Sequence, residues 1–139
     1  MFTERTSVGL DVHARSVVAC AIDGMTGEVI RARLCPDHGE IQRWLAALPG
    51  PVAVAYEAGP TGFGLARALA AAGVRCVVVA PSKLQRPAGD RVKTDAKDAM
   101  HLARLLRLDE VSSVRVPTVA QDYRRFGARA QATAGPFAL

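Results

Sequence analysis

Alternation and helical spacing divide the chain into short elements. Across 7–12, Val8, Leu10 and Val12 alternate with Ser7, Gly9 and Asp11, which predicts a strand with one apolar face. Gly9 leaves room on the other face for a neighbouring backbone to come close, and Asp11 stands near the strand's end. Residues 16–22 are a near-continuous run of β-branched and small apolar side chains, a second strand. Asp23-Gly24-Met25-Thr26-Gly27 has the composition of a hairpin turn. In 28–34, Val29, Arg31 and Arg33 alternate with Ile30, Ala32 and Leu34, as on an edge strand. Three strands joined by short turns predict an antiparallel meander.

Beyond Pro36 the period changes. Ile41, Trp44, Leu45 and Leu48 fall at i, i+3, i+4 and i+7, the stripe of an amphipathic helix, and Pro49-Gly50-Pro51 stops it. Residues 52–56 read as a buried strand ending in Glu57. A tight turn, Ala58-Gly59-Pro60-Thr61-Gly62, then leads to a helix over 63–72 that Gly73 ends. A fifth strand follows at 74–79. After an irregular basic loop, a last helix is predicted from Thr94, as N-cap, to Leu108. The order βββαβαβα predicts an α/β fold, a mixed five-stranded sheet with helices on both faces.

The last helix carries an apolar stripe of Ala99, Leu102, Leu105 and Leu106, with Lys97, His101 and Arg104 on the opposite side. Followed backwards at helical spacing, the stripe runs through Asp98 and Asp95. Two like charges on a face due for burial are costly unless a cation compensates them. Taken alone, two acids in a first turn need no more than the helix dipole. The pair gains meaning from Asp11 and Glu57. In sheets of this kind ligands gather at the carboxyl ends of the parallel strands. If the first and fourth strands are neighbours, Asp11 and Glu57 stand about 4.8 Å apart at that edge. The helix with Asp95 and Asp98 can pack across it. Four carboxylates are hard oxygen donors suited to Mg²⁺ or Mn²⁺, and such sites perform phosphodiester chemistry.

Composition changes this picture in one respect. The chain has 139 residues, enough for one domain with a real core, and a net charge of +5. With four of the 13 acids set apart in the cluster, the other nine face 18 lysines and arginines. A basic body around an acidic site suits a polyanion held by its phosphates. Half the residues are hydrophobic, yet no run approaches a membrane span and no signal peptide is evident, so no membrane partner and a cytoplasmic location are expected. Cys20, Cys35 and Cys76 are odd in number and widely spaced, which indicates neither a disulfide framework nor a zinc module.

Three stretches carry a family resemblance: Gly-Leu-Asp11-Val-His, Tyr-Glu57-Ala-Gly-Pro-Thr-Gly and Lys-Thr-Asp95-Ala-Lys-Asp98-Ala. In this order they resemble the N-terminal domain of DEDD-type insertion-sequence transposases, whose relatives include the Piv-type invertases. That domain is similar to RuvC, with a ribonuclease-H-like fold. The resemblance covers about 7–118 and implies Mg²⁺-dependent DNA transposition or recombination. Asp11, Glu57, Asp95 and Asp98 would be its catalytic, metal-binding carboxylates. It further implies DNA as partner, a guide RNA encoded by the element, and a homo-oligomer for the full-length protein. Family members carry a nucleophilic serine in a second domain, for which this sequence shows no counterpart. The chain is therefore expected to be a truncated form, inactive alone, with 119–139 a divergent and disordered tail.

Lys83, Arg86, Arg91, Lys93 and Lys97 lie in or just after the basic loop and are candidates for nucleic-acid contacts. They could equally be solvated cations that balance nearby acids. Two other functions stay open. Gly59, Gly62 and Gly64, between a strand and a helix, hint at a nucleotide-binding module like that of sugar kinases or actin, although the spacing is not Gly-x-Gly-x-x-Gly. A non-catalytic nucleic-acid-binding product is the other.

Overall fold

The computed structural model describes residues 3–59, 62–80, 91–111 and 113–120, and the backbone alone for 91–97. Its elements follow the predicted order: β1 (Thr6–Val12), β2 (Val17–Asp23), β3 (Val29–Leu34), α1 (His38–Ala46), β4 (Val52–Glu57), α2 (Gly64–Ala71), β5 (Arg75–Val79) and α3 (Arg91–Arg107). They build one five-stranded sheet in the order β3-β2-β1-β4-β5. β1–β2 and β2–β3 pair antiparallel, whereas β1–β4 and β4–β5 pair parallel. This is the mixed sheet of a ribonuclease-H-like fold. The two strands that end in acids are indeed neighbours.

The alternation in β1 decides what lies on each face. Val8 and Leu10 join Ala19, Ala21, Val54, Tyr56 and Val78 in the larger core, closed by Ile41 and Leu45 of α1 and Leu65, Ala66 and Leu69 of α2. On the other face Ala53, Ala55 and Val79 pack against Leu102 and Leu106 of α3. The turn between β2 and β3 closes as its composition predicts: Asp23 N–H donates to the Glu28 carbonyl and Gly27 N–H to that of Asp23, with Gly27 at φ 78°. All three cysteines are free thiols. Among the described residues no helix is long and apolar enough to cross a membrane.

Helix α3 departs from the expected reading in two ways. It begins at Arg91, so Thr94 lies within it and is not its N-cap. Arg91, Val92 and Lys93 include no residue that opposes a helix, so the first turn extends back through them. Its buried row is Ala99, Leu102, Ala103 and Leu106, with Leu105 only half-buried. Ala103 replaces Leu105 because α3 crosses β1 at Gly9. A methyl group at position 9 would fall within contact of the Ala99 carbonyl oxygen and 2.8 Å from the Ala103 amide nitrogen. Only small residues on both elements permit that approach. His101 and Arg104 are exposed, as expected.

The direction of α3 follows from its far end. Arg107 donates to the Arg5 carbonyl at 3.2 Å, and the same carbonyl accepts from Gly24 N–H at 2.8 Å. The C-terminus of α3 is thus fixed where β1 begins, and its N-terminal turns extend towards the end of β1. The helix runs antiparallel to the strand.

Candidate active site

Asp11 and Glu57 stand one step beyond Leu10 and Tyr56, the last residues through which β1 and β4 pair with each other. Side chains two apart on a strand share a face, so Asp11 lies on the Gly9 side and Glu57 on the Ala55 side. Gly9 and Ala55 are cross-strand partners beneath α3. The two carboxylates therefore share the α3 face, at the carboxyl ends of adjacent parallel strands about 4.8 Å apart. Both residues are half-buried.

Distances along the elements bring the helix to the same level. From Gly9 to Asp11 is roughly 6–7 Å along the strand. A helix covers that rise in about four residues. Four residues back from the middle of the Ala99–Ala103 turn falls between positions 95 and 98. Asp98, half-buried, is one position before Ala99, and position 95 is one turn before it. The Gly9 crossing thus sets the helix level with the strand-end acids.

One contact at this edge was not anticipated. His13 Nε2 stands 3.0 Å from Asp11 Oδ2, and the Asp11 side chain is 18% exposed. The signal was present in Asp11-Val12-His13, since residues two apart on a strand project to one side. His13 itself directly follows the last residue of β1, at the start of the turn to β2. The hairpin bond from His13 N–H to the Ser16 carbonyl, 2.9 Å, holds its backbone in place.

The remaining candidates lie partly or wholly beyond description. Lys83 and Arg86 are outside the described residues, as are the side chains of Arg91, Lys93, Asp95 and Lys97. Residues 121–139, nearly all of the expected tail, are outside as well. Among the described residues, no three His, Cys, Asp or Glu side chains form a group ready to hold an ion. Asp11, Glu57 and Asp98 supply hard carboxylate oxygens, the donor chemistry that Mg²⁺ and Mn²⁺ prefer. In the glycine turn, Gly62 N–H donates to the Gly59 carbonyl at 3.0 Å, and Tyr56 Oη reaches the Gly62 carbonyl at 3.4 Å. These bonds shape a turn that connects β4 to α2.

Comparison with known proteins decides the family. The model of the IS110-type DEDD transposases, described as transposase, matches residues 8–128. The chain belongs to this transposase family. It is 40% identical over 132 residues to the "Putative transposase y4qE" of Sinorhizobium fredii (strain NBRC 101917 / NGR234), covering 91% of this chain and 34% of that relative. It is 33% identical over 128 residues to the "Transposase for insertion sequence element IS1533" of Leptospira borgpetersenii, covering 85% of this chain and 37% of the relative. The transposase chain thus spans about a third of the length of the curated relatives it matches.

Proposed function

We propose that this chain is the carboxylate-bearing part of a DNA transposase, one that binds Mg²⁺ or Mn²⁺ and acts on phosphodiester bonds of DNA. The observation that carries the reading is the placement of Asp11 and Glu57 side by side beneath the helix that bears Asp95 and Asp98. These four residues would hold the metal. A bound divalent ion there would polarise a phosphoryl oxygen and stabilise charge on the leaving oxygen. Asp11 and Glu57, fixed by the sheet, set the separation of the strand-end oxygens. Helix α3 would supply the other two acids from its N-terminal turns. The His13 imidazole, 3.0 Å from Asp11, orients that carboxylate.

In this reading 7–118 is the functional unit, and 119–139 is peripheral to it. Lys83, Arg86, Arg91, Lys93 and Lys97 would contact DNA phosphates beside the site. Complete strand transfer, a guide RNA and self-association belong to the full-length protein in the same proposal.

Metal linkage tests the site. A ligand at a hundredfold excess over its dissociation constant stabilises a fold by about 2.7 kcal/mol. Mn²⁺ is therefore expected to raise the unfolding midpoint of the chain, and the rise should vanish in Asp11→Asn and Glu57→Gln. An equal Mn²⁺ effect in the two variants and the unaltered chain would show that the ion binds elsewhere.

A further inference from the structure

Several arginines of the described residues are tied into the fold. Arg5 is paired with Asp23 at 2.9 Å and Arg75 with Glu4 at 2.6 Å. Arg67 donates to the Pro117 carbonyl at 2.9 Å, and Arg107 to that of Arg5. These bonds hold the fold together. Arg31 and Arg33 of β3 and Arg104 of α3 are different. All three are exposed, and among the described residues none has an acidic partner.

Sheet register places Arg31 and Arg33 beside the carboxylates. Asp11 pairs with Val18, and Val18 with Arg33, so Arg33 shares a cross-strand row with Asp11. The row behind it is Gly9, Cys20 and Arg31. Both arginines therefore lie on the face that carries α3, about 9–10 Å from β1 across two strand spacings. The helix rests on β1 and leaves β3 uncovered. Arg31 Nη2 reaches the Met100 sulfur at 3.8 Å, which locates the flank of α3 that looks towards β3. Arg104 is one turn along from Met100 on that flank. Burial pushes the Cys20 thiol up, while the charges of Arg31 and Arg104 act on it in the opposite sense. The result is a groove with β2 and β3 as its floor and α3 as its wall, along which lie three guanidinium groups that have no acidic partner among the described residues. The acids nearest the end of β3 are engaged elsewhere: Asp37 caps α1 through Glu40 N–H, and Glu40 accepts from Cys35 N–H.

We propose that this groove between β3 and α3 holds the phosphodiester backbone of a DNA strand as it leaves the carboxylate site. The inference rests on the function proposed above. Guanidinium forks bind phosphate oxygens in pairs, a geometry that an ammonium cannot reproduce. Arg31 and Arg33 are two residues apart, roughly 6–7 Å, comparable with the separation of adjacent phosphates on one strand. A site for phosphoryl chemistry at the Asp11 end of the same row gives the strand a reason to pass there.

The test measures binding of the 139-residue chain to a labelled DNA duplex across a series of salt concentrations. Arg31→Ala with Arg33→Ala should weaken binding severalfold and make the log–log salt slope shallower by about 2. The paired lysine substitutions at 31 and 33 should restore most of the slope, because the charges return without the forks. A charge-matched control, Arg43→Ala with Arg115→Ala, removes two exposed cations elsewhere and should leave the slope nearly unchanged. Equal changes in the control and the groove variant would reduce the effect to net charge and overturn the groove. Measurable binding with an unaltered slope would sink the groove alone. Failure of the unaltered chain to bind DNA at any salt would reject both the groove and the function it rests on. Tighter binding of RNA of the same sequence, with the same loss in the groove variant, would overturn DNA as the occupant.

Discussion

At the residue scale, Ser7, Gly9 and Asp11 share one face of β1 and meet three different demands. Gly9 is required by contact: the Ala99 carbonyl and the Ala103 amide occupy the space a side chain would need. Gly9→Ala should destabilise the fold by about 1–3 kcal/mol, because backbone atoms on α3 must yield. Ser7 is fully buried, and among the described residues its hydroxyl has no hydrogen-bond partner. Removing an unsatisfied buried hydroxyl relieves a desolvation cost. Ser7→Ala is therefore expected to be neutral or stabilising. Urea unfolding of the two variants checks both, and equal losses would mean that packing against α3 does not distinguish the positions. Asp11, half-buried at the end of the same face, is the residue of the three proposed to serve chemistry.

At the element scale, α3 is the part that spans the sheet edge where the site is proposed. Its packing row of Ala99, Leu102, Ala103 and Leu106 alternates small and large side chains. The alanines let the helix settle on Gly9, and the leucines fill the space over Ala53 and Ala55. Leu106→Ala should cost about 2–5 kcal/mol, as for other fully buried leucines. Leu105→Ala, at a half-buried position, should cost clearly less. Denaturation midpoints compare them directly, and a larger loss at Leu105 would mean that α3 is rotated from the orientation described here. Leucine spacing alone favours Leu105 over Ala103 for the buried row. The contact with Gly9 reverses that preference, and no helical pattern contains it.

At the scale of the whole molecule, an ion pair far from the site closes the structure. Arg5 donates to both oxygens of Asp23, at 3.0 and 2.9 Å, joining the start of β1 to the turn after β2. The Arg5 guanidinium, helped by the Met25 amide, holds the Asp23 carboxyl well below the usual carboxylate range. A group whose folded pKa is depressed contributes stability above its unfolded value, near 4, and loses it as the pH falls towards the folded value. Asp23→Asn should therefore be less stable than the unaltered chain at neutral pH. The gap should narrow steadily below about pH 4. Unfolding midpoints across that range measure it, and a gap independent of pH would assign the effect to packing. The same region anchors the C-terminus of α3 through Arg107 and the Arg5 carbonyl, so its loss should also loosen the helix that spans the site.

The sequence alone determined the order of elements, the two faces of β1, the edge character of β3 and the identity of the strand-end acids. Each of these is local: alternation, helical spacing and turn composition act over a few residues and are written in consecutive positions. Three short stretches also sufficed to indicate the transposase family to which the chain belongs. Tertiary structure decided the rest. The pairing of β1 with β4 placed Asp11 beside Glu57, although 46 positions separate them in the chain. The Gly9 crossing set the level and rotation of α3, which strand and helix patterns read separately cannot supply. The alignment of Arg33 with the Asp11 row, and of Arg31 with the Gly9 row, arises from register across strands. Register joins residues distant in sequence, so it exists only once the sheet has formed.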